Sequence, residues 1–190
     1  MTRSLIDGIL PDADYAETQE TWVPVSAGKA FRVFGEVLPS DVPELKSLGR
    51  RLGLEGDRPL YAQLLDSGFV VLTSDPLREV VVGRVAPLWR LIDRKPLIKG
   101  RRDFVRFGVA GHLKAALSVR LAADGDGTRV TVELRLRATD PALRWISRFV
   151  ARGAGPLVER VTRGWLKAVA RRAARLAVNP SSDPTVLSSK

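Results

Sequence analysis

The chain contains no cysteine and a single histidine, His112. The first absence excludes disulfides, cysteine-ligated zinc or iron–sulfur centres and a thiol nucleophile. The second leaves no His-rich metal site and no mechanism that needs two imidazoles, so neither a metal nor another cofactor is expected. Long hydrophobic runs are missing too: no segment approaches the roughly 18 consecutive apolar residues of a membrane-spanning helix. Near the N-terminus one basic residue, Arg3, precedes a short apolar stretch that Asp7 interrupts. That is unlike a secretory signal, and a cytoplasmic protein is the expectation. The glycine clusters GDG (125–127) and GAG (153–155) match neither a dinucleotide fingerprint nor a phosphate-binding loop. One histidine in a loop supports no Ser–His–Asp arrangement, so no catalytic residue is assigned.

What is present is 190 residues, 45% hydrophobic, with 31 Lys and Arg against 21 Asp and Glu. This suits a single domain with a sizeable core. Charge is uneven along the chain: residues 1–66 carry 7 basic and 11 acidic side chains, and residues 67–190 carry 24 and 10. Such a basic second part suggests an acidic partner for one face, although 24 arginines against 7 lysines also fits a bias in base composition.

Residues 1–15 read as a polar lead-in segment, and the domain is expected to span 16–178. ETQETWVPV (17–25) reads as a first strand, with Pro24 confining it to an edge. Ser26 is placed to cap a short helix whose stripe is Ala27, Ala30, Phe31 and Phe34. Ser40 and Asp41 open a second, with Leu45, Leu48 and Leu52 on its apolar side and Gly53 at its end. Leu60–Leu65 fits either one more helical turn or a short strand. Segments 68–75, 78–89, 101–109, 113–122 and 128–138 are β-branched runs spaced as an antiparallel meander, and ADGDGT (123–128) is hairpin-turn chemistry. Ala115, Leu117, Val119 and Leu121 alternate with Lys114, Ser118 and Arg120, which predicts a sheet with one buried and one wet face.

From Asp140, with Pro141 at the first helical position, Ile146, Val150, Leu157, Val161, Trp165, Val169 and Ala173 recur at helical spacing. A long amphipathic helix follows, with a break predicted at GAGP (153–156) because a proline costs about 3 kcal/mol in a helix interior. The Pro- and Ser-rich tail, 179–190, is expected to be disordered.

One strand, two short helices, a run of antiparallel strands and a long C-terminal helix is the element order of a helix-grip fold. On LIDGILPDADYAE, GFVVLTSDPLREVVVGRVAPLW and RWISRFVARGAGPLVERVTRGWLKAVARRAA, the chain resembles the START/polyketide-cyclase (SRPBCC) superfamily over residues 5–176, and within it a bacterial single-domain group. The resemblance implies an α+β fold in which a curved sheet of six or seven strands wraps the C-terminal helix around a mainly apolar cavity. It also implies ligands such as lipids, polyketides or quinones, and in a minority of members catalysis.

Pocket candidates are therefore the aromatics Trp89, Phe107, Phe149 and Trp165, then Phe69 and Trp145, since ligand sites are lined mostly by apolar groups. The same side chains could equally fill a solid core. Phe104 and Phe107 have opposite parity, so one regular strand would turn only one of them inward. Glu79 and Arg84 are polar pocket candidates, but five positions apart they face opposite ways. His112 reads as a solvated turn residue. Arg144, Arg148, Arg163, Lys167 and Arg171 lie on a cationic helix face, either simply solvated or able to contact an anionic surface. No interleaved aromatics or recognition helix point to specific nucleic-acid binding. The expected function is binding of a small hydrophobic or amphipathic molecule. The alternatives are a cyclase-like enzyme, for which no acid/base pair emerges, and an interaction module using the basic helix face.

Overall fold

The computed structural model describes residues 4–49, 53–75, 77–88 and 95–178. Five antiparallel strands, β1 (Tyr15–Val23), β2 (Val70–Asp75), β3 (Glu79–Pro87), β4 (His112–Asp124) and β5 (Gly127–Ala138), form one sheet in the order β1-β5-β4-β3-β2. Between β1 and β2 lie α1 (Ala27–Glu36), α2 (Pro43–Leu48) and α3 (Leu60–Asp66). A short α4 (Arg101–Arg106) precedes β4, and α5 (Arg144–Val178) closes the described chain. The β4–β5 hairpin turns tightly, with Asp124 opposite Gly127 and Gly125 at φ 62°. A left-handed residue at the first central position matches the right-handed twist of the flanking strands.

Strand parity divides the sheet into two faces. Val119 pairs with Val132 and Leu121 with Val130, and these four pack with Ala30, Val33 and Phe34 of α1 and Leu166, Val169 and Ala173 of α5. α5 also runs along β1, the edge strand. This is a helix-grip α+β fold, as the element order implied. Asp140 caps a short 3-10 turn, Pro141–Leu143, rather than α5 itself, its Oδ1 accepting the Ala142 N–H at 2.9 Å, and α5 follows from Arg144.

Several local expectations give way to tertiary packing. Residues 101–106 are helical rather than a strand, so the described sheet has five strands and not six or seven. The burial of Phe104 against Leu72 and Gly83 decides this, because six residues are too few for local propensity to matter. Asp41 is not a helix cap; its Oδ2 accepts the Leu38 N–H at 2.9 Å and meets Arg172 at 2.7 Å. Ser26 stands at the N-cap of α1 without making a capping hydrogen bond. Leu60–Asp66 resolves as helix, giving three helices before β2 rather than two.

The predicted break at GAGP is absent, and α5 is continuous with Pro156 inside it. Pro156 and Arg152 are both exposed, so the hydrogen bond that the proline removes is lost on the solvent side of the helix, where water can replace it. Gly155 is buried against the Tyr15 hydroxyl of β1, which holds the helix down at this point. The tail, 179–190, lies outside the described residues.

The second face of the sheet is not wet over β2–β4. Ile6, Ile9 and Leu10 of the N-terminal segment, with Ile98 and Phe104, cover Leu72, Val81, Val85 and Ala116. Lys114 and Ser118, read from alternation as solvent-facing, are buried there. Lys114 donates to the Val105 carbonyl at 3.2 Å, and burial followed by the charge of Arg137 lowers its pKa. The lead-in segment is thus part of the core, and two charged groups fasten it. Glu79, 3% exposed, accepts from Ser4 Oγ at 2.6 Å, Leu5 N at 2.8 Å and Ser118 Oγ at 2.7 Å. Arg135 donates to the Leu10 carbonyl at 3.0 Å and to Asp7 Oδ1 at 2.6 Å.

Burial alone would raise the Glu79 pKa, but the hydroxyl and backbone donors reverse this and hold it below the ordinary 4.5. Stabilisation from this carboxylate is complete above the unfolded value and is lost as pH falls through the lower folded one. Glu79→Gln should flatten the acid side of the stability–pH profile and cost roughly 1–3 kcal/mol in urea unfolding at neutral pH. An unchanged acid limb would contradict the assignment. Gly83→Ala should also destabilise, by about 1–3 kcal/mol, because its Cβ would overlap Leu72 Cδ1 and touch the Phe104 ring.

Candidate functional site

The first face carries the candidate site. Trp165 of α5 stacks on Phe34 of α1, with centroids 4.5 Å apart and planes 12° from parallel, and its Nε1 donates to the Phe34 carbonyl at 3.2 Å. Tyr61 of α3 meets Phe34 and Phe31 edge-on at 6.1 and 6.3 Å. These contacts lock α1, α3 and the second half of α5 into one solid layer over β4 and β5. Open space remains beside that layer. A cavity of about 280 Å³ lies between Phe31 of α1, the β2–β3 turn and the far end of β4. Its apolar walls are Phe31, Leu77, Val80, Val119 and Leu121, and Ser74, Asp75, Arg78 and Glu79 are the polar residues that line it.

Leu77 shapes this cavity from the turn. It is held at φ 63°, a conformation that costs an L-residue roughly 1–2 kcal/mol. Gly28 at the start of α1 leaves the room it needs, since a Cβ there would lie 3.4 Å from Leu77 Cδ2. At the rim, Arg78 and Asp75 pair at 3.2 Å in solvent.

A second polar feature sits on the same face at the other end of the sheet. β1 turns Tyr15 and Glu17 toward α5, opposite Leu136 and Leu134. The Tyr15 hydroxyl donates to Glu17 Oε2 at 2.7 Å, while Glu17 Oε1 is buried without a hydrogen-bond partner. Burial, then the hydrogen bond and charge of Glu17, then the charge of Glu159 push the Tyr15 pKa up to about 12. A buried carboxylate oxygen with spare acceptor capacity can take a hydroxyl or ammonium donor.

The residues singled out in the sequence scatter relative to this geometry. Trp165 is on the sheet-facing side of α5, in the aromatic layer behind the cavity. Trp145 is 63% exposed on the first turn of α5 and lines no buried wall. Phe107 ends α4 on the opposite face, packed against the N-terminal cluster with its ring edge-on to His112 at 5.0 Å. It therefore does not line the space between sheet and α5. Phe69 is half-buried just before β2. Trp89 and the side chain of Phe149 lie outside the described residues.

Glu79 and Arg84 do face opposite ways, paired with Arg120 and Ala115. Arg84 is on the helix side, whereas Glu79 borders the cavity while its carboxylate accepts from Ser4, Leu5 and Ser118. His112 opens β4 half-buried, its Nδ1 2.9 Å from the Ala110 carbonyl. The basic face of α5 is partly engaged: Arg144 lies 3.6 Å from Asp14, Arg163 pairs with Glu159, and Arg171 donates to the Asp41 carbonyl at 2.8 Å. Lys167 is exposed, and the Arg148 side chain is outside the described set.

Sequence reading missed Phe31, Leu77, Val80, Tyr15 and Glu17 as site residues. Val80 lies in the REVVV run (78–82) and Leu77 just before it, but no periodicity shows that the β2–β3 turn folds onto α1. Tyr15 falls in the polar 1–15 stretch with Pro11 and three aspartates, whereas β1 begins at Tyr15, and its inner face of Tyr15, Glu17, Gln19 and Thr21 shows no apolar alternation.

No model of a known protein family and no functionally curated protein matches the chain. Among solved structures it is similar to the Mll3558 protein from Rhizobium loti, at 19% identity and a TM-score of 0.42, covering 83% of this chain and 95% of that one. It is also similar to Ara h 8.0201, at 11% identity and 0.38, covering 85% and 98%. A third is the hypothetical protein jhp0584 from Helicobacter pylori, at 9% identity and 0.41, covering 91% and 96%. The helix-grip class rests on this chain's own strand order and helix placement.

In a Tyr61→Phe background, a rapid pH jump followed by phenolate absorbance should show Tyr15 ionising near pH 12, and Glu17→Gln should bring the midpoint back toward 10. A parent midpoint already at 10 would contradict the buried Tyr15–Glu17 pairing.

Proposed function

We propose that the protein binds a small apolar or amphipathic molecule, with the apolar part sunk between α1, the β2–β3 turn and β4. The observation that carries this reading is the aliphatic and aromatic lining of the cavity at Phe31, Leu77, Val80, Val119 and Leu121, beside a few polar residues. Ligand sites share that division, an apolar wall for affinity and a few polar groups for orientation.

Size narrows the ligand. About 280 Å³ is room for roughly nine groups the size of a water molecule, at about 30 Å³ each. A single ring or a short alkyl segment fits, with the remainder of a longer molecule leaving past Asp75 and Arg78. Each methylene buried contributes about 0.8 kcal/mol, so a segment of five or six supplies about 4–5 kcal/mol, roughly millimolar to sub-millimolar binding before ordering costs, and tighter sequestration would draw on the polar groups as well. Trp165 supports the site from behind by fixing the Phe34 ring and α1.

Native mass spectrometry of protein purified gently from its host tests the proposal. A co-purifying small hydrophobic mass is expected, and Val80→Phe, which fills the cavity from a half-buried wall position, should abolish it while leaving the fold intact. Retention of the same mass by Val80→Phe would place the ligand elsewhere.

A further inference from the structure

Residues 95–110 cross one end of the sheet, at the opposite end of β4 from the cavity. Ile98 and Phe104 are buried, which turns their neighbours Leu97 and Val105 outward, 44% and 48% exposed; Val109 is 60% exposed. Hydrogen bonds hold this segment in place. The Val105 carbonyl accepts from Lys114 Nζ at 3.2 Å, and the Val109 carbonyl accepts from Thr139 Oγ1 at 2.8 Å. From Thr139 the chain passes through Asp140 and a short 3-10 turn, Pro141–Leu143, into α5, whose first turn at this end carries the exposed indole of Trp145. Between Lys95 and Arg106 there are five basic residues against one acid, Asp103, whose carboxylate already accepts the Lys99 N–H at 2.9 Å. Lys99, Arg101, Arg102 and Arg106 are all exposed.

Single exposed aliphatic side chains are ordinary, but a group of them at one end of a molecule, interleaved with cations and a tryptophan, marks a contact surface. We propose that this end docks on an anionic lipid bilayer. Leu97, Val105, Val109 and Trp145 enter the headgroup layer, and Lys99, Arg101, Arg102 and Arg106 meet lipid phosphates. Cations near an anionic leaflet and an indole at the interface are the two chemistries such a surface selects. A nucleic acid would use the cations but leave the aliphatic side chains in water. A second copy would bring two like-charged patches together. The face differs from the α5 ridge, where Arg163 and Arg171 are engaged within the chain.

Co-sedimentation of the full-length protein with vesicles tests this, using phosphatidylglycerol mixed into phosphatidylcholine against phosphatidylcholine alone at near-physiological salt. Binding is expected only with the anionic lipid. Arg101→Glu with Arg102→Glu, and separately Leu97→Asp with Val105→Asp, should each lower partitioning by about tenfold or more. Lys167→Glu with Arg175→Glu on α5 should change it by less than about twofold. Circular dichroism and the unfolding midpoint of each variant show that the fold is kept. The proposal is overturned if the α5 variant weakens binding as much as the patch variants, which would make net charge the cause. It is equally overturned if the aliphatic variants bind like the parent, if duplex DNA is bound and vesicles are not, or if the patch variants change only the oligomeric state.

Discussion

The central strand β4 has to be covered on both faces, and the placement of the other elements follows from that. Val119 and Leu121 face α1 and α5, while Ala116 and Ser118 face the N-terminal segment and α4. Neither cover alone would serve, because a central strand open on one side would leave apolar area in water, at about 25 cal/mol per Å². Glu79 sits where the second cover is fastened. A buried carboxylate is costly unless its acceptor sites are filled, and here Ser4, Leu5, Ile6 and Ser118 fill them. The same bonds set the position of the N-terminal segment on the sheet, an anchoring role that an apolar side chain of equal volume would not provide.

Covering the first face has a different character. The stack of Trp165 on Phe34 and the edges of Tyr61 make the region under the second half of α5 solid, so that part of the grip between sheet and helix is core. Among the described residues an opening lies toward α1 and the β2–β3 turn, where Leu77 takes a left-handed backbone conformation over Gly28. The proposed binding cavity is therefore walled on one side by a turn leaning against a short helix.

Much of the architecture was legible because local and tertiary preferences agree. β4 and β5 alternate, the Asp–Gly pairs between them make the turn, and the apolar stripe from Ile146 to Ala173 specifies α5. The reading failed where tertiary contacts overrule local pattern. Lys114 and Ser118 alternate with apolar residues as solvent-facing side chains do, yet α4 and the N-terminal segment cover them. Phe104 sits in a run rich in β-branched and aromatic residues but is buried by a six-residue helix. Phe107 was assigned to a strand and ends up across the sheet from α5. The site itself was least legible, since it joins α1, a turn and the end of β4, three segments far apart in sequence whose meeting no periodicity encodes. Glu79 was noticed for its charge in a strand, but its four partners come from the lead-in and from β4, so its structural role emerged only in three dimensions.

The most direct test of the account is a methyl NMR titration of the full chain, with Leu and Val methyls labelled and a short saturated fatty acid as probe. The account predicts saturable shifts confined to Leu77, Val80, Val119 and Leu121. Leu72, Val81 and Val85, across the sheet, should stay in place. Shifts centred on that second cluster, or none that saturate, would contradict the assignment of the cavity as a ligand site.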